Sequence, residues 1–276
     1  MNIQIKEHRY YGKTLFADNG ILEIGIPLEF GLRIGHVSFV GEENLLFEQP
    51  NDMTQFSTAD GWRLHGGHRL WLAPESTDDY HPDNDPIEYT VEDDALILTQ
   101  REDPRLHVQK TFVIRFDQNR LRITHRVKNL ASETLHRALW SISTLAAGGV
   151  AYLDLPTRTG GLDHWTRIAT WDYTNLGDPR ATYTREQIRI EQAPFESPYK
   201  IGVGHPLSPV RYENGNTVFK KYFDVQHDRL YPDANVSLEV YVSSHMLELE
   251  SLAPLVSLAK NEEAEHTEVW ELLRKS

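Results

Sequence analysis

The chain has no cysteine. That absence excludes disulfides, thiolate nucleophiles and cysteine-held zinc or iron–sulfur sites, while leaving the compartment open. Positive charge is also scarce: 28 Lys plus Arg face 41 Asp plus Glu, a net charge of −13 across 276 residues. Such a balance argues against nucleic acid or a membrane surface as a partner. No apolar run approaches the length of a membrane span, and the N-terminus MNIQIKEHRYYGKT lacks the apolar core of a signal peptide. The expectation is a soluble, cytoplasmic protein. GxSxG, P-loop and GxGxxG fingerprints are missing, which disfavours serine hydrolases of that type, P-loop nucleotide chemistry and Rossmann cofactors. Long amphipathic helical periods are missing too, so the chain reads as nearly all β.

What is present is short alternation broken by turn residues. Ile21 to Ile26, Arg33 to Val40 and Asn44 to Phe47 read as strands, as do Ile87 to Val91, Ala95 to Gln100 and Leu135 to Leu145. Val108 to Phe116 and Leu121 to Val127, joined by Asp117-Gln118-Asn119, form a hairpin with one buried face; Arg120, Arg122 and Arg126 share the solvated one. Val218 to Phe223, Ser237 to Val242, Met246 to Ser251 and His266 to Leu272 complete the set. The acidic segment Ser76 to Pro86 sustains neither periodicity and reads as an exposed loop, a candidate cleft rim. Pro156 to Pro198, with Trp165, Trp171 and Tyr173, reads as long binding loops. No repeat or linker divides the chain, so residues 1–276 are expected to form one domain.

The densest chemistry lies in Gly61 to Glu75, GWRLHGGHRLWLAPE. Two adjacent glycines permit a close backbone approach or a turn barred to other residues. Indole faces beside Arg and His suit a polyhydroxylated ring, which offers C–H faces to stack and hydroxyls to bond. For Trp71 alone, a place in the core is the competing reading. His65 and His68 flank Gly66-Gly67, a poor helix interior, so their spacing is a weak metal signature, and no metal or cofactor is expected. A protonated His65 or His68 would instead donate to a sugar ring oxygen.

In Met246 to Glu250, MLELE, a strand puts Glu248 and Glu250 on one face and Leu247 and Leu249 on the other. Like charges so placed raise the pKa of at least one if the site is enclosed, producing a general base; a solvated edge strand is the alternative. Paired acids of this kind also leave glycoside hydrolysis open.

Leu64-His65-Gly66-Gly67 resembles the HGG motif of galactose mutarotases (aldose 1-epimerases). Phe116 to Ser143 resembles the strand pair leading to that family's catalytic-histidine strand, LELE its catalytic-glutamate strand, and HTEVWEL at His266 to Leu272 its closing strand. With GGHRLWLAPE, WDYTNLGDPR, YPDANVSLEVY and LELESLAPL, the chain is similar over nearly its whole length to the uncharacterised mutarotase-like family DUF4380. The resemblance implies a supersandwich of large antiparallel sheets with a concave sugar cleft, and ring opening by a Glu base and a His acid. It makes Glu248 the base and His65 the sugar-binding histidine. Where the family has its acid histidine, an ungapped match puts Ser141, so either His65 or His68 takes that role or the chain is not a mutarotase. Glu250 replaces a family Gln. The expected binding set is Arg33, Arg69, Trp71, Glu75, Trp140, Arg180, Lys200 and Glu250, around a small-molecule carbohydrate, in a monomer or homodimer. A non-catalytic sugar sensor, and an enzyme acting on another carbohydrate bond, are the rival functions.

Overall fold

Alternation with a period of two dominates, and 52% of the computed structural model is strand against 3% helix. The structure describes residues 1–157, 160, 162 and 166–275; Trp165 lies outside them. A ten-stranded antiparallel sheet runs β14 (Ala181–Tyr183), β15 (Gln187–Glu191), β12 (Val150–Asp154), β17 (Val210–Asn214), β18 (Thr217–Phe223), β22 (Glu263–Arg274), β10 (Arg120–Asn129), β9 (Val108–Asp117), β8 (Ala95–Thr99), β7 (Glu88–Glu92). A second sheet runs β13 (Ile168–Thr170), β16 (Tyr199–Val203), β19 (Leu238–Val242), β20 (Met246–Leu252), β11 (Leu135–Ala146), β6 (His68–Ala73), β4 (Arg33–Ile34), with β21 (Val256–Leu258) pairing the start of β11. A third, of four strands, orders β1 (Asn2–His8), β2 (Gly12–Asp18), β3 (Leu22–Pro27) and β5 (His36–Phe39).

The second sheet is buried on both faces. Leu70, Leu72, Leu139, Leu145, Leu247 and Leu249 point one way and join Phe112, Ile114, Leu121, Ile123, Phe219 and Trp270 of the ten-stranded sheet in the main core. On the opposite face Trp71, Trp140, Ile142 and Met246 pack with Trp62, Leu64 and Tyr231 in a smaller cluster. Burying such side chains stabilises by roughly 1.5–3 kcal/mol each, which fixes the register on both faces.

Two strand expectations change. Arg33 to Val40 is not one strand: it breaks at Gly35, β4 joining the second sheet and β5 the four-stranded one. A Cβ at Gly35 would stand 2.5 Å from the Tyr11 ring, so glycine is what lets the chain cross here. Asn44 to Phe47 makes only an isolated bridge, Leu46 to Leu145; the Asn44 side chain instead bonds the Val37 and Leu46 amides and the Gly35 carbonyl. The 108–127 hairpin forms with Leu121 opposite Phe116 and Ile123 opposite Ile114. Ser76 to Pro86 is loop, apart from a single 3-10 turn at Thr77–Tyr80. Among the described residues no helix is long and apolar enough to cross a membrane.

Candidate active site

Strand β20 is central rather than an edge, flanked by β19 and β11. Glu248 and Glu250 therefore lie on a covered face, 7% and 1% exposed. They line a cavity of about 320 Å³, together with Arg69 and Trp71 from β6, Trp140 and Ile142 from β11, Lys200 from β16 and Tyr241 from β19. Glu75, Tyr80, Trp62 and Tyr173 close it from the loops.

Register explains the meeting of these side chains. Thr144 stands opposite Glu248, Ile142 opposite both Glu250 and Arg69, and Trp140 opposite Trp71. Glu248 Oε1 accepts from Arg69 Nη1 at 3.0 Å and from Thr144 Oγ1 at 2.7 Å. The Arg69 guanidinium lies 4.6 Å from the centre of the Trp71 ring, so one arginine orients both the carboxylate and the indole. Glu250 Oε2 accepts from Trp140 Nε1 at 2.9 Å and from Lys200 Nζ at 3.0 Å. Lys200 also pairs with Glu239 Oε2 at 2.7 Å and sits 4.7 Å from the ring centres of Trp140 and Trp171. Burial alone would lower the Lys200 pKa, but the two carboxylates outweigh it and raise it. Burial raises Glu250, and raises Glu239 well above the usual carboxylate range. Tyr80 OH donates to Glu75 at the rim.

The histidines are a correction. Among the described residues no histidine lines the cavity. His68 alternates with Arg69 on β6, so when Arg69 faces the cavity His68 faces the core, where it is fully buried. His65 occupies the left-handed turn before β6 at φ 57°, and its ring stacks on Phe30 with centroids 4.1 Å apart. Burial, with Arg33 and Arg63 nearby, pushes His65 down to about 2, so it carries no proton to donate near neutral pH. Arg33 and Arg180 also lie outside the lining. Arg33 donates to the carbonyls of Leu64 and Gly66, both at 2.9 Å, and pairs with Asp83, tying the Gly61–Glu75 turn to the acidic loop. Arg180 is committed to Asp178 at 2.9 and 2.7 Å and to the Ser197 carbonyl.

Behind the sheet, His68 belongs to a second polar cluster. His68, His125 and Glu268 bring their ligating atoms within 4.8 Å of one another, the spacing of a metal site. Hydrogen bonding already accounts for the donors. His125 Nδ1 faces the His266 carbonyl at 2.9 Å and must donate, which leaves its Nε2 as acceptor for His68 Nε2–H at 2.7 Å. His68 Nδ1 then accepts from Ser143 Oγ at 2.9 Å. The cation of the cluster is Lys221, whose Nζ reaches Glu268 at 2.8 Å, the carbonyls of Ser141 and Leu249 at 3.0 and 2.9 Å, and Ser143 Oγ at 3.1 Å. The donor set does not fit a metal, because an ammonium already fills that place.

Sequence reading missed Glu239, Thr144, Tyr80 and Tyr241. Leu238-Glu239-Val240-Tyr241 carries the same alternation as LELE, and that was the available signal; that Glu239 lands opposite Glu250 is a matter of register. Gly66 and Gly67 serve the turn rather than a ligand: at φ 84° and 74°, their Cβ atoms would stand 2.0 Å from the Phe47 oxygen and 2.5 Å from the Ile34 oxygen.

No family model matches the chain, and no curated protein matches it in sequence. Solved structures do. A galactose mutarotase-like protein from Lactobacillus casei superposes with a TM-score of 0.59 at 10% identity, over 94% of this chain and all of its own. A galactose mutarotase related enzyme from Lactobacillus acidophilus gives 0.56 at 11%, over 95% and 97% of the two chains. A galactose mutarotase-like protein from Clostridium acetobutylicum gives 0.53 at 11%, over 99% and 98%. The architecture of this chain is thus the galactose mutarotase-like fold, shared nearly end to end with proteins of unrelated-looking sequence.

Proposed function

We propose that the cavity binds a free aldose and accelerates interconversion of its anomers, with Glu248 as the base. The observation that carries this reading is the Glu248 carboxylate, oriented by Arg69 and Thr144 beside the indoles of Trp71 and Trp140. Indole faces take the C–H side of a pyranose, and an oriented carboxylate takes the proton of its anomeric hydroxyl. Glu75, Tyr80 and Lys200 supply polar contacts for the remaining hydroxyls. Cytoplasmic placement, a monomer or homodimer and membership of the DUF4380 group belong to the same proposal, the last resting on the quoted motifs alone.

Exchange NMR on a panel of aldoses at neutral pH tests it. Accelerated exchange between α and β anomers that vanishes in Glu248→Gln supports the reading. One observation favours a second reading, a sugar sensor: both cations of the cavity are already paired, and no histidine among the described residues reaches it. Line broadening of one aldose without any accelerated exchange would favour that module. Cleavage of a glycoside panel would move the assignment to another carbohydrate bond.

A further inference from the structure

An anomer-exchanging site needs an acid as well as a base, and this cavity has no histidine to provide it among the described residues. What it has instead is a surplus of carboxyls around one ammonium. Glu239 on β19 and Glu250 on β20 stand directly opposite each other and share Lys200 Nζ at 2.7 and 3.0 Å. Each keeps one buried oxygen without a hydrogen-bond partner, Oε1 in both cases, and each residue is 1% exposed. Asp233 adds a third carboxyl beside Glu239. It is presented by three successive left-handed residues, Asp233, Ala234 and Asn235, at φ 49°, 62° and 65°; strain of this kind persists only where surrounding structure holds it.

We propose that Glu250 is the proton donor of this cavity, with Glu239 and Lys200 as the positioning residues that keep the proton there. The inference rests on the aldose reading above. Lys200 compensates one negative charge; the other cation facing Glu250, Arg69, is committed to Glu248, and Lys221 behind the sheet is committed to Glu268. Ionising Glu239 and Glu250 together would leave a buried charge with no partner, which costs more than retaining a proton. Of the two acids Glu250 lines the cavity. Its Oε2 accepts from Trp140 and Lys200, which leaves Oε1 as the oxygen to carry hydrogen toward a ligand.

The step balances. The Glu248 carboxylate takes the proton from the C1 hydroxyl, and that O–H electron pair forms the C1=O bond. The C1–O5 bond breaks, its electron pair goes to O5, and O5 takes the proton from Glu250. Rotation about C1–C2 and reversal of both transfers recloses the ring as the other anomer. Two acids in different environments, Glu248 paired with Arg69 and Glu250 sharing a retained proton with Glu239, divide the roles a histidine and a glutamate would otherwise share.

Two variants and two readouts test this. Glu250→Gln should slow anomer exchange roughly 100- to 10,000-fold, the scale of lost general acid catalysis. Glu239→Gln removes the second carboxyl that obliges the pair to retain a proton and leaves Lys200 to Glu250 alone, so the alkaline limb of the pH–rate profile should move to lower pH while the rate on the acid side is retained. A merely structural role would not move that limb. Difference infrared spectra at neutral pH should show a protonated carboxyl band that Glu250→Gln diminishes. Wild-type exchange unaffected by Glu250→Gln, or a limb unmoved by Glu239→Gln, overturns the inference and leaves the aldose reading standing. Wild-type protein that accelerates no aldose overturns the aldose reading and the donor role with it. The infrared band then decides the remaining claim, a proton held at Glu250: its loss in Glu250→Gln supports it and its absence from wild type overturns it.

Discussion

Replacing Lys221 by Met keeps most of the side chain's volume and removes only its charge and donors. Lys221 is completely buried on β18 of the ten-stranded sheet, and its Nζ reaches across to β11 and β20 through the carbonyls of Ser141 and Leu249. Those are the strands whose other faces carry Trp140, Glu248 and Glu250. Four acceptors surround Nζ, which suits the three hydrogens of an ammonium better than the two of an amine. The substitution leaves Glu268 charged and fully buried with, among the described residues, Ser251 and Trp270 as its donors. Breaking a buried ion pair from one side costs about 3–5 kcal/mol. For a chain of this size that corresponds to a fall in melting temperature of about 6–20 °C. Urea denaturation followed by tryptophan fluorescence measures it, and Lys221→Met combined with Glu268→Gln should recover part of the loss, because the uncompensated charge is gone. A single variant costing less than about 1 kcal/mol, the range of an exposed pair, would refute the claim that this ion pair is desolvated.

Acid should destabilise the protein well above the carboxylate range. Burial lowers His36 and His125 to about 4 and His266 to about 3, so these rings stay neutral in the fold while the unfolded chain protonates below its ordinary 6.5. Stability is then fully present above that value and lost as pH falls toward 4. Each ring forfeits up to about 2 kcal/mol at pH 5, while the raised Glu239 and Glu250 act in the opposite sense. Denaturant midpoints at pH 7 and pH 5 give the net, and an equal or higher midpoint at pH 5 would contradict it. Gly66→Ala should cost about 2–5 kcal/mol from left-handed strain and overpacking against the Phe47 carbonyl. Gly20→Ala, at a similar φ of 85° but with nothing within 4 Å, should cost only the strain, about 1–2 kcal/mol, so equal losses in the two variants would show that contact is irrelevant. Trp71→Ala should weaken aldose binding by about 1 kcal/mol or more, read by titration calorimetry; unchanged affinity removes Trp71 as the stacking platform.

Much of the fold was legible because strands advertise themselves one at a time. Leu247 and Leu249 against Glu248 and Glu250 is a pattern within five residues, and it holds. Some of the elements missed have both faces buried or both exposed, whereas Val150–Asp154, Gln187–Glu191 and Val210–Asn214 do alternate and were missed for their shortness. Tyr199–Val203 is buried on both sides and Asn2–His8 largely exposed, so neither alternates. Of Gly61–Glu75, five residues line the cavity: Trp62, Leu64, Arg69, Trp71 and Glu75.

The histidines show where local reading runs out. His65 and His68 lie within four residues of Arg69, yet one is spent on a turn and the other faces the main core, because β6 begins at His68 and sends alternate side chains to opposite sides of the sheet. Which face is the cavity is decided by β11, more than sixty residues later: Trp140 pairs with Trp71 and Ser143 with His68. The same register puts Glu250, Trp140 and Trp71 on one side and Ser141, Ser143 and His68 on the other. A position that resembles a catalytic histidine's therefore holds Ser141 facing the core, where no side chain serves the cavity whatever its identity. Within the sheet, an acid for this cavity comes from the alternate residues of β19, β20 or β16. Of those, only Glu239 and Glu250 carry a carboxyl with a buried oxygen still unpartnered.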